Sequence, residues 1–234
     1  MIIFKAVVGS QLHGFATQES DTDFVTVRAD NLRKVLSLYG DAPKGNQSHA
    51  EDDSTTYELR HFCRLLVKGN PTVYDALFSH LRVETGDWDS ELVQNADRFI
   101  DTKNIYMATC GYVHSTMKEA ANGTFTPVRR GKKALAALRV LRQGHSLLTD
   151  NYYSPRGHVD REFALKLKKG DETAIFEAQS LVEREQASLD ALYRETKPRV
   201  ANIEWINDYL YRLYRSNTIV VMPPTRLTYI GDKR

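Results

Sequence analysis

The pattern of hydrophobic and polar positions changes about sixty residues into the chain. Before that point, apolar and β-branched residues occur in short runs at residues 2–8 and 24–27, separated by polar or glycine-containing stretches, and a third strand is predicted at 55–59. Such runs are typical of buried β-strands. Between them, residues 31–39 are compatible with two helical turns, and the polar stretch 40–54 predicts a surface loop.

From Leu59 onwards the apolar residues repeat with the spacing of one helix face. They are Leu59, Phe62, Cys63, Leu66 and Val67. The sequence Lys-Gly-Asn-Pro at 68–71 predicts the end of this helix, and a short helix over 72–78 follows.

Beyond residue 101 the pattern is almost wholly helical. It predicts helices at 103–121, 131–148, 159–168, 172–195 and 202–215. We therefore expect an α+β protein with a small strand-containing domain at 1–100 and a helical domain at 101–234. The join near 97–103 lacks the composition of a linker, so we expect the two parts to pack closely.

Composition narrows the class of protein. Hydrophobic side chains make up 41% of the 234 residues, which is enough for a core, and no run of eighteen apolar residues predicts a membrane span. The apolar start lacks the basic region and cleavage site of an export signal, so we expect a cytoplasmic protein. A net charge of +2 permits a nucleic-acid partner without requiring one.

The most informative feature is Gly9-Ser10, followed after ten residues by Asp21-Thr22-Asp23. Two carboxylates two positions apart at the start of a strand share one face. They are hard oxygen ligands of the kind that Mg²⁺ or Mn²⁺ prefers. A turn at Gly9-Ser10 brings backbone N–H groups and the Ser10 hydroxyl close to a phosphate. An isolated Asp-x-Asp is common on solvated loops, but its conjunction with Gly-Ser between two strands predicts a metal and nucleotide site.

These residues also carry a resemblance to a known family. Residues 8–17, VGSQLHGFAT, together with 20–24, SDTDF, resemble the nucleotidyltransferase signature of the DNA polymerase β superfamily. More narrowly, the segments 57–62, 68–71 and 75–78 resemble those of stand-alone bacterial and phage enzymes. That subfamily includes polymerase-β-like proteins associated with RNA repair and linked to RNA ligases. The resemblance becomes faint after about residue 195.

The resemblance implies a fold and an activity. The fold would be a small mixed-sheet nucleotidyltransferase palm followed by a helical bundle that covers the active-site cleft. The activity would be transfer of a nucleoside monophosphate from a nucleoside triphosphate to a hydroxyl group by two-metal catalysis. The expected acceptor is an RNA 3′ end, in tRNA or a repaired RNA. Two alternatives are a nucleotidyltransferase that AMPylates proteins and a non-catalytic module that binds nucleotides or RNA.

By the same resemblance, Asp21 and Asp23 would be the first two metal ligands. The third carboxylate would come from the strand entering the helix at 59–68, and Glu58 is the residue we predict. The alternative role for Glu58 is to cap the first turn of that helix. Asp52 and Asp53 are candidates in a polar loop, where a solvated surface position is expected.

Positive charge is concentrated where one later helix begins. The residues are Arg129, Arg130, Lys132, Lys133, Arg139 and Arg142. We predict that Lys132, Lys133 and Arg139 contact the triphosphate, since cations must offset its negative charge. The alternatives are contact with an RNA backbone and an ordinary solvated face.

His13 lies between Ser10 and Asp21 and is predicted to contact a base or phosphate. The subfamily commonly has tyrosine at this position, Arg-Gly at Val25-Thr26 and histidine at Ala136. These departures bear on the choice of substrate and leave the two aspartates in place.

Overall fold

A mixed β-sheet occupies the first part of the computed structural model, which describes residues 1–36, 46–49 and 54–217. Its strands are β1 (Ile2–Val7), β2 (Phe24–Arg28), β3 (Asn46–His49), β4 (Ser54–Glu58) and β5 (Arg82–Thr85). Their order across the sheet is β3-β4-β2-β1-β5. β2 and β4 are parallel, and the other neighbours are antiparallel. The predicted α+β class with a mixed sheet is confirmed.

The two edge strands differ from the sequence prediction. β3 lies within the stretch 40–54 that we predicted to be a loop, and β5 was not predicted. Residues 46–48 and most of β5 are exposed, so neither strand shows the apolar pattern of a buried one. Backbone pairing with β4 and β1, and not side-chain burial, forms these edges. Residues 50–53, which belong to the same predicted loop, lie outside the described residues.

Short helices lie between the strands and directly after the last one. They are α1 (Gly9–Leu12), α2 (Leu32–Val35), α3 (Leu59–Val67), α4 (Pro71–Leu77) and α5 (Asp89–Gln94), with a 3-10 turn at Ala96–Phe99. α3 is confirmed, and its last residue, Val67, is followed by Lys68 as the C-cap and by Gly69, whose φ is +72°. The Asn70 side chain then accepts N–H bonds from the first turn of α4, where Pro71 has no N–H and so needs no acceptor. The two turns predicted at 31–39 form one turn within the described residues.

The predicted later helices are all present. They are α6 (Thr102–Ala120), α7 (Pro127–Asp150), α8 (Arg161–Lys169), α9 (Glu172–Glu195) and α10 (Ile203–Ser216). Each begins after a residue whose side-chain oxygen accepts a backbone N–H from the first turn: Asp101, Thr126, Asp160, Asp171 and Asn202. Within the described ranges, none of the helices is both long and apolar enough to cross a membrane.

α7 lies at the centre of the helical part and packs against α6, α8 and α9. It meets α8 at very close range, because a Cβ atom added to Gly131 would lie 1.9 Å from the carbonyl oxygen of Leu167. This contact brings the C-terminal turn of α8 alongside the first turns of α7.

α10 returns to the first hundred residues. The Tyr209 hydroxyl donates to the Trp88 carbonyl oxygen at 3.1 Å, and Tyr214 donates to the carboxylate of Glu58. Arg212 pairs with Glu91. The predicted boundary at residue 100 stays a prediction, and the packing of α10 joins the end of the described chain to its beginning.

Candidate active site

A cleft of about 770 Å³ separates the end of the sheet from α7 and α8. One wall is the segment from α1 to the start of β2, and the other is formed by the two helices. The first wall contains Gly9, Ser10, His13, Phe15, Thr17, Gln18, Glu19, Ser20, Asp21 and Asp23. The second contains Val128, Lys132, Leu135, Ala136, Arg139, Leu165, Lys168 and Lys169. The volume falls in the range of small-molecule sites.

Gly9 and Asp23 fit closely together on the first wall, which we call the palm wall. Gly9 has a φ of +65°, and a Cβ atom there would lie 1.9 Å from Oδ2 of Asp23. The backbone N–H of Val8 donates to the Asp23 carbonyl oxygen at 2.9 Å. A glycine is therefore required at position 9 both by its φ and by the carboxylate packed against it.

Asp21 and Asp23 lie directly before β2, and both line the cleft with Ser10. Thr22, between them, does not line it, and its hydroxyl oxygen accepts from Nε2 of Gln11 at 2.5 Å. This alternation places two carboxylates on the same side of the segment. The structure thus brings together Gly9, Ser10, Asp21 and Asp23, as predicted.

Glu58 is not among the residues that line the cleft. In the register of the parallel strands β2 and β4, Glu58 lies opposite Arg28. This position is four residues along the strands from the one where Ser54 lies opposite Phe24. That separation is about 13 Å along the strand. One carboxylate oxygen accepts the Arg60 N–H at 3.0 Å, and the other accepts the Tyr214 hydroxyl, so Glu58 is only 5% exposed and caps α3.

The structure therefore does not bring Glu58 to the two aspartates, and it gives Glu58 the capping role that the sequence left open. The hydroxyl of Tyr214 has a raised pKa, because of burial first and its bond to Glu58 second. Asp52 and Asp53, the other candidates for a third ligand, lie outside the described residues. Among described residues there is no group of three or more His, Cys, Asp or Glu side chains placed to hold a metal.

The opposite wall, which we call the helical wall, carries the positive charge. Its cations are Lys132 and Arg139 of α7 and Lys168 and Lys169 of α8. Nζ of Lys168 donates to the Phe15 carbonyl oxygen at 3.0 Å and lies 3.2 Å from Oγ of Ser20, which connects α8 to the segment preceding Asp21. Burial, and then the charge of Lys132, lower the pKa of Lys168.

Lys168 and Lys169 were not predicted from the sequence as cleft residues. The three lysines in the last turn of α8 have the pattern of a solvated helix end, and Lys166 does pair with Glu162 at the surface. Only the packing of α8 against α7 directs the other two towards the cleft. A basic last turn is a weak signal, because cations are favoured at any helix C-terminus.

The remaining cations of α7 bind carboxylates on neighbouring helices. Lys133 lies 2.9 Å from Glu119 of α6, which has a lowered pKa because it accepts a hydrogen bond from this lysine. Arg130 pairs with Glu172 of α9, and Arg142 pairs with Glu185 of α9. The structure therefore does not bring Lys133 to the cleft, although its neighbour Lys132 lines it.

The sequence model of the RNA repair pathway DNA polymerase beta family matches residues 1–213. The chain belongs to this family. The resemblance carried by the Gly-Ser and Asp-x-Asp motifs is thereby confirmed, and the family suggests a nucleotidyltransferase. Among individually curated proteins, none matches the chain.

In this member of the RNA repair pathway polymerase beta family, a buried polar network lies behind the cleft. We define it as His13, Asp75, Arg139 and Gln143. His13 and Asp75 are each 4% exposed. Nδ1 of His13 lies 2.9 Å from the Pro155 carbonyl oxygen, and its Nε2 lies 2.7 Å from Nη1 of Arg139.

Asp75 is the anion of this network and was also not predicted from the sequence. Arg139 pairs with its Oδ2, and Nε2 of Gln143 donates to its Oδ1 at 3.0 Å. Burial alone would raise the pKa of Asp75, but Arg139 and His13 reverse this, so its pKa is lowered. Asp75 lies among the buried residues of α4. A single aspartate there does not indicate a buried ion pair in the sequence, because its partners lie on α7.

Proposed function

We propose that the protein is a metal-dependent nucleotidyltransferase that moves a nucleoside monophosphate from a nucleoside triphosphate to a hydroxyl group of an RNA end. One observation supports this above all: the two aspartates of the palm wall face a set of cations across one cleft. A triphosphate with its metal ion needs both kinds of charge. Membership of a polymerase-beta-type RNA repair family supports the same activity.

The residues present fit a divalent cation. Magnesium prefers oxygen ligands and is commonly bound through one or two carboxylates together with substrate phosphates and water. Asp21 and Asp23 would supply the carboxylates, and the close fit of Asp23 against Gly9 holds one of them at the Gly-Ser turn. A cation bound there would polarise the attacking hydroxyl and offset charge on the phosphates.

The other residues of the cleft would bind and orient the nucleotide. The Ser10 hydroxyl can donate to a phosphate oxygen, and Lys132 and Lys168 can offset its charge from the opposite side. In the transfer, the acceptor hydroxyl gives its proton to water and its oxygen forms a bond to the α-phosphorus. The bond from the α-phosphorus to the oxygen bridging to the β-phosphorus breaks in line with it, and pyrophosphate leaves. The helical wall would hold the departing pyrophosphate by the same cations.

The first test is pyrophosphate release from each of the four ribonucleoside triphosphates, measured with RNA and with or without Mg²⁺ or Mn²⁺. We expect release that requires the metal ion. Asp21→Asn and Asp23→Asn should abolish it while leaving the helical circular dichroism unchanged, because an amide keeps the shape but lacks the anionic ligand. Wild-type activity in both variants would contradict the proposal.

The acceptor is identified by following labelled nucleotide into total cellular RNA and into protein. We expect the label at RNA 3′ ends. If the label appears on protein instead, the acceptor is a protein side chain and not RNA. Nucleotide binding without release of pyrophosphate under any condition would favour a binding module.

A further inference from the structure

The buried network joins elements from both sides of the cleft. His13 follows α1, Asp75 belongs to α4, and Arg139 and Gln143 lie one turn apart on α7. Pro155, which bonds to His13, belongs to the segment after α7. Two members, His13 and Arg139, also line the cleft. The network is therefore one of the places where the palm wall and the helical wall are connected.

The donors and acceptors of the network fix the direction of most of its hydrogen bonds. A carbonyl oxygen only accepts, so Nδ1 of His13 donates to Pro155, while its Nε2 lies 2.7 Å from Nη1 of Arg139 and 3.3 Å from Oδ2 of Asp75. Asp75 uses Oδ1 for Gln143 and Oδ2 for Arg139. Each side chain thus limits the orientation of the next one.

Arg139 differs from the other cations of the helical wall. Its contacts with Asp75 and His13 both use Nη1, and a guanidinium has five N–H donors on three nitrogens in a planar fork. It can therefore keep its buried partners and still offer donors to a ligand in the cleft. Lys132 is exposed and has a flexible stem, so it must lose side-chain freedom to bind.

We propose that Asp75 is a positioning residue that acts through Arg139, holding the guanidinium in the orientation that binds the triphosphate. This inference rests on the proposed function, because a triphosphate is the ligand Arg139 would contact. Asp75 itself does not line the cleft and is 4% exposed. Its carboxylate would act by fixing its partner and not by touching the substrate.

The test is a double-mutant cycle with Asp75→Asn, Arg139→Gln and the double variant. The readout is the Kd of a non-hydrolysable triphosphate with Mg²⁺, measured by calorimetry. Arg139→Gln should weaken binding about tenfold to a hundredfold, the value of one or more bonds to a charged group. Asp75→Asn should weaken binding by a smaller factor, and in the Arg139→Gln background it should have no further effect.

Two further variants separate positioning from simple loss of stability. Arg142→Gln is the matched control. Arg142 is also an arginine of α7 that pairs with a carboxylate, but its partner is Glu185 of α9, and neither residue lines the cleft. It should lower the melting temperature and leave the Kd unchanged. Arg139→Lys keeps the charge but not the fork, so it should bind more like Arg139→Gln than like the wild type.

A wild-type Kd in folded Asp75→Asn would overturn the inference. So would a double variant in which the effects of Asp75→Asn and Arg139→Gln on the binding free energy add in full. If Asp75→Asn does not fold, Gln143→Leu removes only one bond to Asp75 and one to the Pro71 carbonyl oxygen, and should weaken binding by a few-fold. A wild-type Kd in folded Gln143→Leu would then overturn it. Failure of the wild type to bind any triphosphate would overturn the proposed function as well.

Discussion

The two walls of the cleft are built in different ways. The palm wall uses one continuous segment, from Gly9 to Asp23, and its aspartates are joined to the Gly-Ser turn by contacts within the same stretch of chain, such as the N–H bond from Val8 to the Asp23 carbonyl oxygen. The helical wall takes its cations from two helices, α7 and α8. Arg139 of α7 and Lys168 of α8 lie more than twenty positions apart in the sequence. An anionic site encoded in one short motif therefore faces a cationic site that exists only after the helices have packed.

The comparison also shows that a neighbouring helix determines what a cation does. Lys132 and Lys133 are adjacent in sequence, yet one lines the cleft and the other binds Glu119. Successive residues on a helix point about 100° apart, so they meet different surroundings. Charge density along the sequence identified the helix but not the side chains that face the site.

The largest effect is expected from Gly9→Ala, which should disrupt the palm wall. The new Cβ atom would collide with the Asp23 carboxylate and would also require alanine to adopt a φ of +65°. We expect loss of transferase activity and of about 1–3 kcal/mol of stability. Activity assays and chemical denaturation would measure the two effects.

Gly14→Ala is the matched control for this prediction. Gly14 has a φ of +79°, but a Cβ atom added there would meet no atom of the described residues within 4 Å. The substitution should cost a similar amount of stability through backbone strain and retain activity. Equal activity losses in the two variants would show that the strain, and not the displacement of Asp23, inactivates the protein.

An intermediate effect is expected at the helical wall, where Lys132→Ala can be compared with Lys133→Ala. Loss of one charged contact should raise the KM for the nucleotide about tenfold in Lys132→Ala. Lys133→Ala should leave that KM unchanged, because Lys133 is engaged with Glu119. Steady-state kinetics with varied triphosphate would test both.

The acceptor titration then separates triphosphate contacts from RNA contacts. If Lys132 binds an RNA backbone, Lys132→Ala should raise the KM for RNA instead, and should reduce the salt dependence of RNA binding by about 0.7 in the log–log slope for single strands. Unchanged constants for both substrates would make Lys132 an ordinary surface residue.

The smallest effect is expected from Glu58→Gln, which distinguishes a helix cap from a metal ligand. The amide retains an oxygen for the Arg60 N–H, so we expect activity close to that of the wild type. The weaker cap and the altered bond to Tyr214 should cost about 0.5–2 kcal/mol of stability. A folded variant that has lost metal-dependent activity would restore Glu58 to the metal site.

Features that depend on neighbouring residues could be predicted from the sequence alone. The long helices were predictable because apolar periodicity and capping side chains lie within the segments that fold, as at Asp101 and Asp171. The Gly9-Ser10 and Asp21-Thr22-Asp23 motifs were recognisable for the same reason, since a turn and the start of a strand bring them together over a short stretch of chain.

Features whose partners are distant in sequence depend instead on how the elements pack. The edge strands β3 and β5 form by pairing with β4 and β1, and their exposed side chains carry no apolar pattern. Glu58 became a cap bonded to Tyr214, 156 residues away, and Asp75 acquired Arg139 from α7. A side chain's burial and charge partners depend on which elements pack against it, and the local pattern that identifies a helix or strand contains no information about that choice.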